Sequence, residues 1–334
     1  MKAVELQNTF GIDSLRVVER PQPRPGPGQV VLKMRAWSLN YRDLLVVTGK
    51  YNPRLRLPLT PLSDGVGEVA AVGDGVTRVK VGERVAGIFI QGWLAGEPTE
   101  ATAKTSLGGG GEGMLAEYVL LSQEGVVPVP AHLSDEEAAT LPCAAVTAWH
   151  ALITAGGLKP GDTVLTQGTG GVSLFALQFS RLAGARVLIT SSSDAKLQRA
   201  LQMGASDGIN YKTNTEWEER VRELTGAGVD HVVELGGAGT LGKSLRAVRT
   251  GGRVSLIGVL TGGGQVNPMP LLMKNVCLQG IYVGSREMFE AMNRAIALHQ
   301  LRPVVDRVFP FAEAAAALRH LESGAHFGKV CLRI

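Results

Sequence analysis

The chain has 334 residues, of which 45% are hydrophobic, 19% are charged and 43 are glycine, a mixture too apolar for a disordered chain. Lys and Arg total 34 against 30 Asp and Glu, so the net charge is +4, with no dense basic run to mark a nucleic-acid or membrane surface. No apolar stretch is long enough to span a bilayer. Glu5 falls where a signal peptide needs its apolar run, and Cys143, Cys277 and Cys331 are too scattered for a disulfide framework. These features predict a soluble cytoplasmic protein of about two domains.

The first stretch, to about Pro130, reads as short strands separated by turns. Strands are expected at Val30–Ala36, Gly67–Val72 and Val81–Gly87, with a Pro-rich surface turn at Pro21–Pro27. The segment Gln91–Gly113 is Gly-rich and polar and reads as a long loop. The texture changes at Ser134, where Ser134-Asp135-Glu136-Glu137 has the form of a capping box. Strands are then expected at 163–167, 186–190, 208–211, 229–234, 252–258 and 277–283. Helices are expected between them at 172–182, 195–203, 217–224 and 240–248. This alternation predicts an α/β chain with a doubly wound parallel sheet. The expected division is 1–130, 131–285 and 286–334. The last piece, too short to stand alone, returns to the first.

Gly168-Thr169-Gly170-Gly171-Val172-Ser173 follows a strand and opens a helix. Backbone N–H groups at such a helix start face a phosphate, and the helix dipole favours its charge. Gly168 permits the turn, Gly170 and Gly171 admit a pyrophosphate, and Ser173 replaces the third glycine of the dinucleotide fingerprint. The next strand ends in Thr190-Ser191-Ser192-Ser193-Asp194, with Lys196 a turn further on. A hydroxylic strand end with a nearby lysine suits a 2′-phosphate, hence NADPH over NADH, with Asp194 read as the N-cap of the helix 195–203.

With these features in hand, the chain resembles the medium-chain dehydrogenase/reductase superfamily. The resemblance is carried by Leu39–Asp43, Gly49-Lys50-Tyr51, Asp64–Val69, Val81–Val85, Leu141–Trp149, the Gly168–Ser173 turn and Phe327–Val330, and it covers nearly the whole chain. It implies a GroES-like, mainly β catalytic domain, a Rossmann domain and a C-terminal return to the first. Zinc-bearing members hold their metal with Cys, His and Cys, and these positions match Asn40, Ser63 and Cys143 here, with Asp64 at a neighbouring acidic position. One cysteine with Asn and Ser is a poor set of zinc donors. No cysteine lies in Gln91–Gly113, and His132, His150, His231, His299, His320 and His326 do not pair at ligand spacing.

Without zinc, the chain resembles the quinone oxidoreductase and enoyl reductase branch. That resemblance implies NADPH held by Ser191 or Ser192, Lys196 and Tyr211 at the 2′-phosphate. It places Gly168, Thr169, Gly170, Gly171 and Val172 at the pyrophosphate turn, and Thr147, Gly258, Val259 and Val283 beside the nicotinamide. The expected reaction is hydride transfer to an activated C=C or a quinone. Asn40 is the expected donor to the developing oxyanion and Tyr51 the expected acid, with Tyr41 and then water behind it; Tyr51 reads equally as a residue that only shapes the pocket. Arg42 and Asp43 are expected to brace the motif as an ion pair, and Cys143 to be a small buried hydrophobe. The alternatives are an alcohol–ketone oxidoreductase and an NADPH-binding protein of structural or RNA-linked role, like zeta-crystallin relatives. The expected partner is a small-molecule substrate, with neither nucleic acid nor membrane. A homodimer is expected through the strand 277–283.

Overall fold

In the computed structural model, which describes residues 1–334, the alternating segments build a six-stranded sheet. Its spatial order is Asp207–Asn210, Arg186–Ser191, Thr163–Gln167, Val229–Glu234, Val248–Leu256 and Cys277–Gly280, every neighbouring pair being parallel. Numbered along the chain this is 3-2-1-4-5-6, the Rossmann order, which reverses direction between the strands Thr163–Gln167 and Val229–Glu234. Both faces must be covered, so these strands are nearly continuous apolar runs such as Val187-Leu188-Ile189 rather than alternating ones. The helix Gly171–Leu182 buries Leu174, Phe175, Leu177 and Phe179, and a separate cluster joins Leu165, Leu188, Ile209, Trp217, Val221, Leu241 and Leu245.

The second sheet is mixed. The strand Gln29–Ser38 lies at its centre, antiparallel to Asp64–Val72, Tyr118–Ser122 and Lys329–Arg333. Arg84–Gly87 and Val126–Pro128 extend one side, and Val305–Pro310 pairs in parallel with Lys329–Arg333 on the other. The core beneath it combines Trp37, Met34, Leu32 and Leu115 with Phe311, Leu318 and Leu321 from the C-terminal segment. The Trp37 and Phe311 rings meet at 5.0 Å, so burial of apolar area draws the last fifty residues into this unit.

The chain separates into two compact units, Met1–Val146 with Gly284–Ile334, and Thr147–Val283. The division between these units falls inside the helical stretch 141–154. The capping box at Ser134 is present, with Ser134 Oγ accepting from the Glu137 N–H at 3.2 Å. The helix it opens, Asp135–Ala139, packs on the strands Gln29–Ser38 and Asp64–Val72. The change of texture at Ser134 marks a helix that covers the mixed sheet. Two smaller differences follow local chemistry. The expected strand 277–283 stops at Gly280, and the expected loop 91–113 contains one turn of helix, Glu100–Ala103, capped by Thr99.

Candidate active site

The candidate nucleotide site is built at the end of the strand Thr163–Gln167. Gly168 has φ +75°, a conformation that favours glycine, and a side chain added at Gly168 or Gly170 would meet only open space. Ser173 Oγ donates to the Gln167 carbonyl at 2.6 Å and so packs where the fingerprint's third glycine would lie. The helix Gly171–Leu182 points its N-terminus at that open space, and these residues fit a pyrophosphate. Gly168 N–H reaches Thr190 Oγ1 at 3.4 Å, and Tyr211 N–H donates to the Ser191 carbonyl at 3.0 Å. The turn, the strand end and Tyr211 are thereby brought together, with Lys196 in the first turn of the helix Asp194–Gln202.

The N-cap of that helix is Ser193, whose Oγ accepts from the Lys196 N–H at 3.4 Å; Asp194 is not the cap. Asp194 instead accepts from Asn210 Nδ2 at 2.8 Å through one of its oxygens. Ser191 is buried and Ser192 half-buried. Gly258 allows a close approach, since a side chain there would lie 2.2 Å from the Leu235 carbonyl oxygen. Val259 is exposed and Thr147 buried. Val283 takes a positive φ of 54° and accepts a hydrogen bond from His150 Nδ1 at 2.7 Å through its carbonyl.

Sequence reasoning did not single out Glu234. It is fully buried at the end of the fourth strand and accepts from Gln167 Nε2 at 2.8 Å, from the Gly236 and Gly237 N–H groups at 2.8 and 3.0 Å, from Thr240 at 2.5 Å and from Ser244.

In the other unit, Asn40 precedes the helix Tyr41–Val47. Its backbone N–H donates to Asp43 Oδ2 at 2.8 Å, while Asp43 N–H returns to the Asn40 carbonyl. The Asn40 side chain lies in a chain of polar groups that the motif did not reveal. Lys329 is only 4% exposed, and its Nζ donates to the Leu39 carbonyl at 2.6 Å and to Asn40 Oδ1 at 2.5 Å. Asn40 Nδ2 donates to Ser63 Oγ at 3.4 Å, and Ser63 Oγ donates to Asp64 Oδ1 at 2.7 Å. The other Asp64 oxygen accepts from the Cys143 N–H at 3.0 Å. Burial pushes the Asp64 carboxyl above its ordinary value, against the pull of Lys329, Asn40, Ser63 and Cys143. The Cys143 thiol is also pushed up, first by burial and then by Asp64.

The expected Arg42–Asp43 ion pair is only a 4.0 Å contact. Arg42 lies instead over the rings of Phe89, at 4.4 Å, and Tyr51, at 5.5 Å, and donates to the Leu107 carbonyl. It braces Tyr51, which is 39% exposed; Tyr41 is exposed as well.

Asp43 is fully buried, and burial raises its pKa to about 6, partly countered by Arg42. The folded state therefore holds this proton more tightly than the unfolded chain. The resulting stability is present below about pH 4 and is lost as the pH rises through 6. Asp43→Asn keeps the acceptor for the Asn40 N–H and has no charge to bury. We expect the gap in unfolding free energy between variant and wild type to move in the variant's favour by on the order of 3 kcal/mol from pH 4 to 7.5. Urea titrations across that range measure it, and a pH-independent gap refutes it.

Residues 26–131 match the alcohol dehydrogenase GroES-like domain, and residues 171–297 match the zinc-binding dehydrogenase domain. A zinc-type alcohol dehydrogenase-like protein of Schizosaccharomyces pombe is 42% identical, over 97% of this chain and 96% of its own. A quinone oxidoreductase of Lama guanicoe is 28% identical over 99% and 97%. Among solved structures, a putative alcohol dehydrogenase of Sinorhizobium meliloti superposes with a TM-score of 0.92 at 43% identity, over 100% and 99% of the two chains. A mycobacterial protein complexed with NADPH gives 0.84 at 30%, over 100% of both. A 2-octenoyl-CoA carboxylase reductase holding NADP and 2-octenoyl-CoA gives 0.88 at 27%, over 99% and 87%.

The chain belongs to the medium-chain dehydrogenase/reductase superfamily and is an oxidoreductase of that family. The zinc that one domain description implies does not suit the side chains here. No group of three or more His, Cys, Asp or Glu residues could hold a metal ion. The Asn40 oxygen already accepts from an ammonium, and Cys143 is disfavoured as a thiolate.

Proposed function

We propose that this protein is an NADPH-dependent reductase that works without zinc on an activated C=C, as in an enone or enoyl thioester, or on a quinone. The observation that carries this reading is the Asn40 side chain. Its oxygen is held by Lys329 and its nitrogen faces Ser63 and the Asp64 carboxylate, so the amide is set with its N–H side as the donor we assign to the substrate oxygen. The Ser191–Lys196–Tyr211 surface and the neighbours solved with NADPH or NADP support the choice of cofactor. NADPH supplies the hydride when bound. Asn40 then stabilises the enolate-like oxygen, and Tyr51, held against Arg42, returns the proton at the α-carbon or oxygen. Tyr41 is the reserve donor. Alcohol oxidation is disfavoured because no group here would polarise an alcohol oxygen as a metal does.

The test follows NADPH absorbance with an enone, a trans-2-enoyl thioester, a quinone and an aldehyde, each with and without chelator. Oxidation by the first two or by the quinone, unchanged by chelator, is expected. Turnover of the aldehyde alone, lost with chelator, overturns the reading. NADPH binding without any turnover favours the structural role instead. Self-association is the partner reading. The strand Cys277–Gly280 is an unpaired sheet edge flanked by exposed Met269, Leu272, Met273 and Tyr282, which suits pairing with a second copy. Sedimentation at micromolar concentration should give a dimer, and a monomer refutes it.

A further inference from the structure

Lys329 holds the Asn40 oxygen, yet it donates neither hydride nor proton in the reaction described so far. It lies on the strand Lys329–Arg333, beside the centre of the mixed sheet, and is 4% exposed. Lysines are almost never this deeply buried without compensation, because removing an ammonium from water is costly. Two partners hold it, the Leu39 carbonyl and Asn40 Oδ1, and neither is charged. No carboxylate is in ion-pair contact with it; Asp64, toward which Asn40 and Ser63 both turn their donors, is the anion that its charge acts on through this network.

The direction of these bonds carries the argument. An ammonium only donates, and a carboxylate only accepts. The Ser63 hydroxyl has one hydrogen, which goes to Asp64, so toward Asn40 it can only accept. Between a pure donor and an acceptor, the Asn40 amide has one satisfactory orientation, with its oxygen on Lys329 and its nitrogen on Ser63. A half-turn would set NH₂ against NH₃⁺ and oxygen against oxygen. The Lys329–Asn40–Ser63–Asp64 chain therefore orients one amide.

We propose that Lys329 is the positioning residue of this centre: it fixes the Asn40 amide so that an N–H, and not the carbonyl, is presented to the substrate oxygen. The inference rests on the reductase reading above. It also accounts for a buried charge that hydrophobic packing would not select. Replacing it by a well-packed apolar side chain should cost the fold little, provided its distant anion is neutralised as well.

A double-mutant cycle tests it, using Asn40→Ala, Lys329→Met and the pair, with kcat for the accepted C=C or quinone substrate and the NADPH Kd both measured. Each single variant is expected to lose about 10²-fold in kcat, the size of one oxyanion donor, with the NADPH Kd unchanged. If Lys329 acts through Asn40, the pair loses no more than Asn40→Ala alone. Multiplying losses, about 10⁴-fold in the pair, overturn the proposal, as does wild-type kcat in Lys329→Met. Should Lys329→Met fail to fold, Asp64→Asn/Lys329→Met removes both charges together. The slow kcat must persist in that variant, and recovery to wild-type kcat overturns the role. A wild type that reduces none of the acceptors sinks the reductase reading instead. The orientation claim is then decided by a crystal structure of Lys329→Met, where an unchanged Asn40 rotamer with its nitrogen still on Ser63 refutes it.

Discussion

Glu234→Ala is expected to destabilise the Thr147–Val283 unit by on the order of 4 kcal/mol, a substantial share of a typical margin of stability of about 5–15 kcal/mol. The carboxylate is fully buried and has no ion-pair partner, so five donors from Gln167, Gly236, Gly237, Thr240 and Ser244 replace its hydration. Truncation leaves buried N–H groups without acceptors and opens a cavity at the point where the strand order reverses. Glu234→Gln separates the two contributions. One amide oxygen can still accept from Gly236, Gly237 and Thr240, but the new NH₂ then faces Gln167 Nε2. Turning Gln167 would relieve that clash only by breaking the bonds its oxygen accepts from Leu235 and Gly236. We therefore expect about 1–3 kcal/mol for the glutamine variant, with weakened NADPH binding because the 235–237 loop loosens. Urea unfolding followed by far-ultraviolet circular dichroism measures both losses. A loss below about 1 kcal/mol for Glu234→Ala would show that water replaces the carboxylate.

What the sequence revealed and what it concealed divide along the range of the interactions. The strands at 163–167, 186–190 and 229–234 were legible because apolar runs and glycine stops are local. The glycine turn was legible because its backbone requirements lie within six residues. Asn40, Tyr41 and Tyr51 could be nominated by resemblance to known motifs, but the environment of Asn40 could not. Lys329 sits in a Gly-Lys-Val run that reads as a strand with one solvated charge. Its burial depends on Leu39, 290 residues away. Glu234 likewise reads as a charge at a strand end until Gln167 and Ser244 are placed around it. The place of the helix Asp135–Ala139 was hidden for a related reason. The residues of the helix Asp135–Ala139 show that it is a helix, but not which sheet its apolar face covers.

The cofactor assignment yields the second large effect. Lys196→Ala is expected to weaken NADPH binding about 10- to 100-fold and to leave NADH binding unchanged, because a charge-assisted bond to the 2′-phosphate contributes about 1.5–3 kcal/mol. Tyr211→Phe should act in the same direction and more weakly. Backbone pairing places Tyr211 beside the Ser191 carbonyl. The converse variant is Ser191→Asp. A carboxylate at this strand end would accept from a ribose 2′-OH and repel a 2′-phosphate, so preference should move toward NADH. The native Asp194 lies one turn past this strand end, in the helix Asp194–Gln202, where Asn210 Nδ2 donates to one of its oxygens at 2.8 Å. Titration of both cofactors by fluorescence decides the matter. Equal losses for NADPH and NADH in Lys196→Ala would place the lysine away from the 2′-phosphate. The remaining preference would then have to come from the strand end, where a buried Ser191 can hydrogen-bond a phosphate oxygen but brings no charge to it.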